Sequence, residues 1–172
     1  MNVTKSAILA EQRKRFLHYT PHDKQLQFHA FGPTCRERLF LGGNRTSKTF
    51  CGTIESAIHL TGNYPAWWKG IRFDHPVEWW AASDTAETTR DILQNEYLGN
   101  TGKGSLGAVH RSPIIGTTAR RGIADAIDTA FIRHRSGGVS LLGFKSYDQG
   151  WAKFQGTHKD GIHLDEEPPQ DV

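Results

Sequence analysis

An α/β fold with a mainly parallel sheet is the architecture this sequence predicts, on three observations. Runs at strand spacing alternate with runs at helical spacing along most of the 172 residues. One strand-like run, "RERLFL", leads directly into a glycine turn, and a helix-spaced run follows the turn. The length also suffices for one domain with its own hydrophobic core.

In chain order, residues 4 to 19 predict a helix. Thr4 or Ser6 can cap it, and Ile8, Leu9, Gln12, Phe16 and Leu17 form its apolar stripe. "TPHDKQLQFHAFGP" predicts a short helix from about Asp23, closed by Gly32-Pro33. After the "RERLFL" strand, "TFCGTIESAIHLTG" returns to helical spacing and terminates at Gly62-Asn63. "PVEWWAAS" predicts a second strand and "DTAETTRDILQNEYLG" a polar helix. Residues 99 to 122, rich in Gly, Thr, Arg and Lys, read as a mobile or substrate-facing segment. "DTAFIRHRSGGVSLLGFKS" predicts a hairpin about Gly137-Gly138. A short amphipathic piece, "YDQGWAKFQG", then leads to a last strand in "DGIHLDEEPP".

Composition narrows the class. Hydrophobic residues make up 37% and charged residues 23%, as in soluble globular domains and unlike disordered chains. The net charge of +3 and a pI near 9.0 are compatible with a polyanionic partner without requiring one. Two cysteines, Cys35 and Cys51, make neither a metal cluster nor a disulfide framework, so a reducing compartment is expected. No apolar run approaches the ~20 residues of a membrane span, and the N-terminus lacks a signal-peptide core. These features point to a cytosolic protein without a membrane partner.

The segment "LFLGGNRTSKTF", Leu39 to Phe50, carries the chemistry. A phosphate-binding loop reads Gly, four residues, Gly-Lys, then Ser or Thr, between a strand and a helix. Gly42, Lys48 and Thr49 fit that pattern, and Ser47 stands where it has glycine. Such a loop aims backbone N–H groups at phosphates, with the following helix dipole also favouring negative charge. Lys48 would reach the β and γ phosphates of ATP, and the Thr49 hydroxyl would ligate Mg²⁺. Ser47 matters if the position needs a left-handed backbone, at a cost of about 1 kcal/mol. The other reading is a plain strand-to-helix turn with an incidental lysine.

Asp165-Glu166, after the apolar run Ile162-His163-Leu164, offers the complementary chemistry. Asp165 would hold Mg²⁺ through water, and Glu166 would polarise the attacking water as general base. Taken alone, the pair also reads as a solvated acidic turn before Pro168-Pro169.

In this order, these residues resemble the large subunit of tailed-bacteriophage terminase, an ATP-driven DNA-packaging motor. "GGNRTSKT" is similar to that family's phosphate loop and "FQGTHKDGIHLDEEPP" to its second nucleotide motif, while "YTPHDKQLQFH" is similar to its adenine-recognition segment. The resemblance implies a P-loop NTPase core of the additional-strand type, in which Gly42, Gly43, Asn44, Arg45, Thr46, Ser47, Lys48 and Thr49 form the loop and Gln25 reads adenine. It implies that Arg45 neutralises transition-state charge, or that an arginine of a neighbouring subunit does so, with Arg120, Arg121, Arg133 and Arg135 as candidates. It further implies Mg-dependent ATP hydrolysis that drives double-stranded DNA into a procapsid. The partners would be portal protein, the small terminase subunit and other copies in a ring, in the host cytoplasm and transiently at the portal. A terminase would continue into further core strands and a C-terminal nuclease domain. The sequence stops at Val172, so residues 1–172 read as one partial ATPase domain without nuclease. A helicase-like P-loop ATPase of other ancestry and a non-hydrolysing nucleotide- or portal-binding module are the alternatives.

Three further features have plainer readings. The pairs Trp67-Trp68 and Trp79-Trp80 read as packing residues, and the nine histidines as scattered polar residues without metal-ligand spacing. The stretch "AEQRKR" reads as the wet face of a helix. Lys103 to Arg121 is the better candidate for salt-sensitive contact with DNA phosphates.

Overall fold

The computed structural model describes residues 19–100, 105–109 and 114–170. The helix expected over 4–19, with its basic stretch, lies outside them. Three helical segments and a five-stranded sheet dominate. Helix α1 spans Asp23–Ala30 and α2 spans Lys48–Thr61. Helix α3, Ala86–Thr88, runs through a π-helical turn, Thr89–Gln94, into α4, Asn95–Leu98. The strands are β1 (Glu78–Ser83), β2 (Gly99–Asn100), β3 (Ser105–Leu106), β4 (Ile114–Ala119), β5 (Ile127–Arg133), β6 (Val139–Ser146) and β7 (Gly161–Leu164).

The large sheet has the order β4-β5-β6-β1-β7, and β2 pairs with β3 separately. Strand β1 is parallel to both neighbours, with Trp79 opposite Leu142 on one side and Gly161 on the other. The β5–β6 hairpin and the β4–β5 pair are antiparallel. The sheet is therefore mixed rather than mainly parallel. Parallel pairing needs a crossover of a dozen residues or more, and the chain spends such crossovers only around β1.

Local signals explain most elements. Gly62 ends α2 in a left-handed conformation, with φ +69°, as expected of a helix C-terminus. Thr85 caps α3 by accepting the Thr88 N–H at 3.1 Å. Helices α2 and α4 and the π-helical turn pack on one sheet face, where Leu60, Leu93, Tyr97, Trp79, Ala81, Leu142 and Phe144 build the main core. A second cluster joins Ile54, Ile58 and Trp68 to Tyr19, Phe50, Tyr64 and Trp67. The tryptophan pairs are thus packing residues: Trp68, Trp79 and Trp80 are all buried.

Two segments differ from expectation. "RERLFL" forms no strand. Its alternation survives only as side-chain direction: Arg38 bonds Glu55, Phe40 stacks on Phe28, and Leu39 and Leu41 stand 80% exposed. A strand needs a ladder, and β7 ends the sheet without pairing these residues. The second difference lies between 99 and 122, where residues 114–119 form the edge strand β4 rather than a substrate-facing loop. Threonine- and isoleucine-rich "IIGTTA" has the β-branched residues of a strand, and at the sheet's edge it is exposed along nearly its whole length. Lys103 and Arg111 lie outside the described residues. No helix among the described residues is long and apolar enough to cross a membrane.

Candidate functional site

Residues 41–47 form an exposed turn that delivers the chain to the N-terminus of α2. The Thr46 hydroxyl donates to the Gly43 carbonyl at 2.8 Å. The Lys48 ammonium crosses the turn to donate to the carbonyls of Gly42 at 2.8 Å and Gly43 at 2.9 Å. A Cβ at position 42 would meet Thr46 Oγ1 at 2.8 Å, so a larger residue there would have to displace the Thr46 hydroxyl. Asn44 and Arg45 are exposed on the turn.

Ser47 occupies the N-cap position of α2 without a side-chain capping bond, at φ +61° and ψ +29° in the left-handed region, and Arg45 has φ +64°. The position where the motif has glycine therefore does demand a conformation that favours glycine. Ser47→Gly is expected to stabilise the fold by about 1 kcal/mol, measured as a higher urea midpoint at unchanged m-value. An unchanged midpoint would mean that serine carries no strain there.

The two halves of the sequence meet at the carboxyl end of the sheet. Thr49, in the first turn of α2, donates its hydroxyl to Asp165 Oδ1 at 2.8 Å, although 116 residues separate them. Asp165 is buried just past β7 and is fixed by its own N–H, which donates to the Ala82 carbonyl at 2.8 Å. Burial raises its carboxyl pKa, against the opposing pull of the Thr49 hydrogen bond and the Lys48 charge. A second rung lies behind the first. His163 faces Gly52 so closely that a Cβ on Gly52 would sit 2.3 Å from its Nε2. The Tyr97 hydroxyl hydrogen-bonds His163 Nδ1 at 2.9 Å, and burial lowers the His163 pKa to about 4. Glycine at 52 lets α2 approach β7, and that approach is what brings Thr49 to Asp165.

Among the described residues no group of three or more His, Cys, Asp or Glu could hold a metal ion. Thr49 and Asp165 instead offer two adjacent oxygen donors. That set fits Mg²⁺, which keeps waters and takes its remaining ligands from substrate phosphates rather than from a protein cage. Glu166 is exposed, with its backbone also left-handed at φ +70°. The Tyr147 hydroxyl reaches the Asp165 carbonyl at 3.3 Å and the Glu166 carbonyl at 3.1 Å.

The remaining candidate residues are spread more widely. Gln25 is buried in the first turn of α1, where its Oε1 accepts the His22 N–H at 3.1 Å. Arg135 donates its N–H to the Thr61 carbonyl, at the opposite end of α2 from the loop. With 14 residues in α2, that places Arg135 roughly 20 Å from Lys48. Arg133 belongs to the same hairpin end, opposite Val139. Arg120 sits at the loop end of the sheet and donates to Ser146 Oγ at 2.8 Å; Arg121 follows it, exposed.

One organising cluster has no counterpart in the motif reading. Glu55 of α2 is buried and accepts from His29 Nδ1 of α1 at 2.6 Å and from the Arg38 guanidinium, with His59 Nε2 3.8 Å away. His29 Nε2 lies 3.1 Å from the Tyr19 hydroxyl and 3.5 Å from Cys51 Sγ. Two of the histidines read as scattered polar residues therefore stand in the core around one carboxylate. Burial pushes the Cys51 thiol up to about 12, which leaves it unreactive, and both cysteines are free. The available signal was the i, i+4 spacing of Glu55 and His59 among the apolar residues Ile54, Ala57, Ile58 and Leu60.

Residues 39–172 match the family described as terminase large subunit, T4likevirus-type, N-terminal. Over 174 residues the chain is 32% identical to the terminase large subunit of Salmonella phage P22, an alignment covering 90% of this chain and 35% of that protein. The chain thus spans about a third of the length of that curated relative. No solved structure matches it.

Proposed function

The chain belongs to the terminase large-subunit family, and from that premise we propose that it binds Mg·ATP at the 42–49 loop and hydrolyses it as the ATPase part of a viral DNA-packaging motor. The observation that carries this reading is the 2.8 Å hydrogen bond from Thr49 to Asp165, which joins the candidate phosphate loop to the candidate acidic motif. Two oxygen donors at the end of one strand and the start of one helix suit a metal-bound triphosphate.

In this reading the exposed loop N–H groups and the α2 N-terminus receive the phosphates, and Lys48 exchanges the Gly42 and Gly43 carbonyls for phosphate oxygens. Mg²⁺, when bound, neutralises charge that develops on the β and γ oxygens. Glu166, at the mouth of the site, takes the proton of the attacking water. Arg45 sits on the loop itself and is the nearest guanidinium by sequence to spread over the transferring phosphoryl group. Adenine recognition by Gln25 would require its amide to exchange its bond with His22 for one to the base. Double-stranded DNA, portal protein, the small terminase subunit and a homo-oligomeric ring belong to the same proposal, as does a host-cytoplasmic location.

Equilibrium binding of Mg·ATP by this chain, beside Lys48→Ala, tests the reading. Saturable binding that weakens about ten- to a hundredfold in the variant is expected from the loss of a charged hydrogen-bonding group. Equal affinity in both proteins would overturn the loop as the nucleotide site. The non-hydrolysing module remains the second reading, favoured by the left-handed backbone at Arg45 and Ser47.

A further inference from the structure

The acidic pair ends β7, and the chain beyond it must hold Glu166 in place without a sheet ladder. Glu166 is one of four non-glycine residues with positive φ among the described residues. Such a backbone costs about 1 kcal/mol and persists only where its surroundings hold it. Its surroundings here are specific. Strand β6 runs directly into a 3₁₀ turn, Tyr147–Gln149, at the same end of the sheet. That turn is pinned on both sides: the Asp148 N–H donates to the Asp84 carbonyl at 3.2 Å, and the Gly150 N–H returns to the Tyr147 carbonyl at 2.9 Å. From this anchorage the buried Tyr147 ring projects past the end of β1. Its single hydroxyl proton is shared between the carbonyls of Asp165 and Glu166, at 3.3 and 3.1 Å.

Fixing those two carbonyl oxygens fixes the two peptide planes that follow Asp165 and Glu166, and so the ψ of each residue. The direction of the Glu166 Cα–Cβ bond follows from that backbone. We propose that Tyr147 is a positioning residue for ATP hydrolysis: its hydroxyl locks the left-handed turn at Glu166 and thereby aims the carboxylate that activates water. The inference rests on the proposed hydrolysis and adds a residue from outside both nucleotide motifs. The shorter of the two bonds goes to Glu166, and Asp165 is held separately by its N–H on the Ala82 carbonyl and by the Thr49 hydroxyl, so loss of the Tyr147 hydroxyl bears chiefly on Glu166 and the chemical step.

Tyr147→Phe keeps the ring and its packing and removes only the donor. Steady-state ATP hydrolysis by wild type and Tyr147→Phe tests the inference, with Phe154→Leu as control. Phe154 neighbours the same ring, at 6.3 Å between centroids, so Phe154→Leu alters the packing beside Tyr147 and leaves the hydroxyl and its two bonds in place. Tyr147→Phe is expected to lower kcat by about tenfold or more, since a small misplacement of a reacting group can cost up to about a hundredfold. KM for ATP should stay within about twofold, and Phe154→Leu should retain most of the wild-type kcat. Wild-type kcat in Tyr147→Phe, a rise in KM with kcat unchanged, or an equal kcat loss in Phe154→Leu would each overturn the positioning role alone. A wild-type chain that binds Mg·ATP without turning it over would instead overturn the hydrolysis reading, and this inference with it.

Discussion

Glu166→Gln is expected to reduce ATP turnover by about a hundredfold or more while leaving Mg·ATP affinity nearly unchanged. A positioned general base contributes roughly 10²–10⁴ in rate, and glutamine keeps the shape of glutamate while losing its basicity. Affinity should persist because the contacts expected to bind nucleotide belong to the loop, Lys48, Thr49 and Asp165, and Glu166 is exposed beside them. Steady-state kinetics paired with equilibrium binding separates the two quantities. Undiminished kcat in Glu166→Gln would remove this residue from the chemistry. Binding without hydrolysis in the wild type would favour the non-hydrolysing module, in which the left-handed loop residues hold nucleotide without activating it.

Glu55→Ala is expected to cost about 3 kcal/mol of stability. Removing one partner of a buried ionic network leaves the others desolvated and unpaired, which typically costs about 3–5 kcal/mol. Here His29, Arg38 and His59 would each lose their carboxylate partner, and with it goes an ionic tie between α1 and α2. Burial alone would raise the Glu55 pKa, but hydrogen bonds from His29, His59 and Arg38 outweigh it and hold the carboxyl well below its ordinary value of 4.5. A carboxyl with a depressed folded-state pKa contributes stability above the unfolded value and loses it as pH falls through the folded one. Stability from Glu55 should therefore be full near neutrality and decline below pH 4.5. Glu55→Gln should flatten that part of the acid limb in urea denaturation across pH. An acid limb unchanged by the substitution would place the titrating group elsewhere.

Local periodicity and punctuation were legible in the sequence wherever one segment decides its own conformation. Helix α1, helix α2 with its terminator Gly62, β1, the β5–β6 hairpin about Gly137-Gly138, and β7 before the acidic pair all follow from spacing and turn residues. The loop and the acidic pair stood out as a candidate site, because glycine, lysine, threonine and carboxylate at those spacings suit a phosphate and a metal, and the fold brings the two together at Thr49 and Asp165. Residue pattern alone did not decide which segments pair. "RERLFL" has a strand's alternation and no ladder, whereas "IIGTTA" forms the sheet's outer strand from a stretch that reads as a loop. Hydrogen-bond partners in a sheet lie far apart in sequence, so both strand identity and the antiparallel direction of β4 and β5 belong to the tertiary structure. The same holds for Glu55, whose polar neighbours look like surface residues until α1, Arg38 and α2 converge on them. It holds also for Ser47, which shows its left-handed backbone only in the folded turn. Local pattern decided α1, α2, β1, the hairpin and β7, and marked the loop and the acidic pair as a candidate site. Long-range packing through Gly52 and His163 determined that Thr49 and Asp165 stand 2.8 Å apart, because only a glycine lets that helix come so close to that strand.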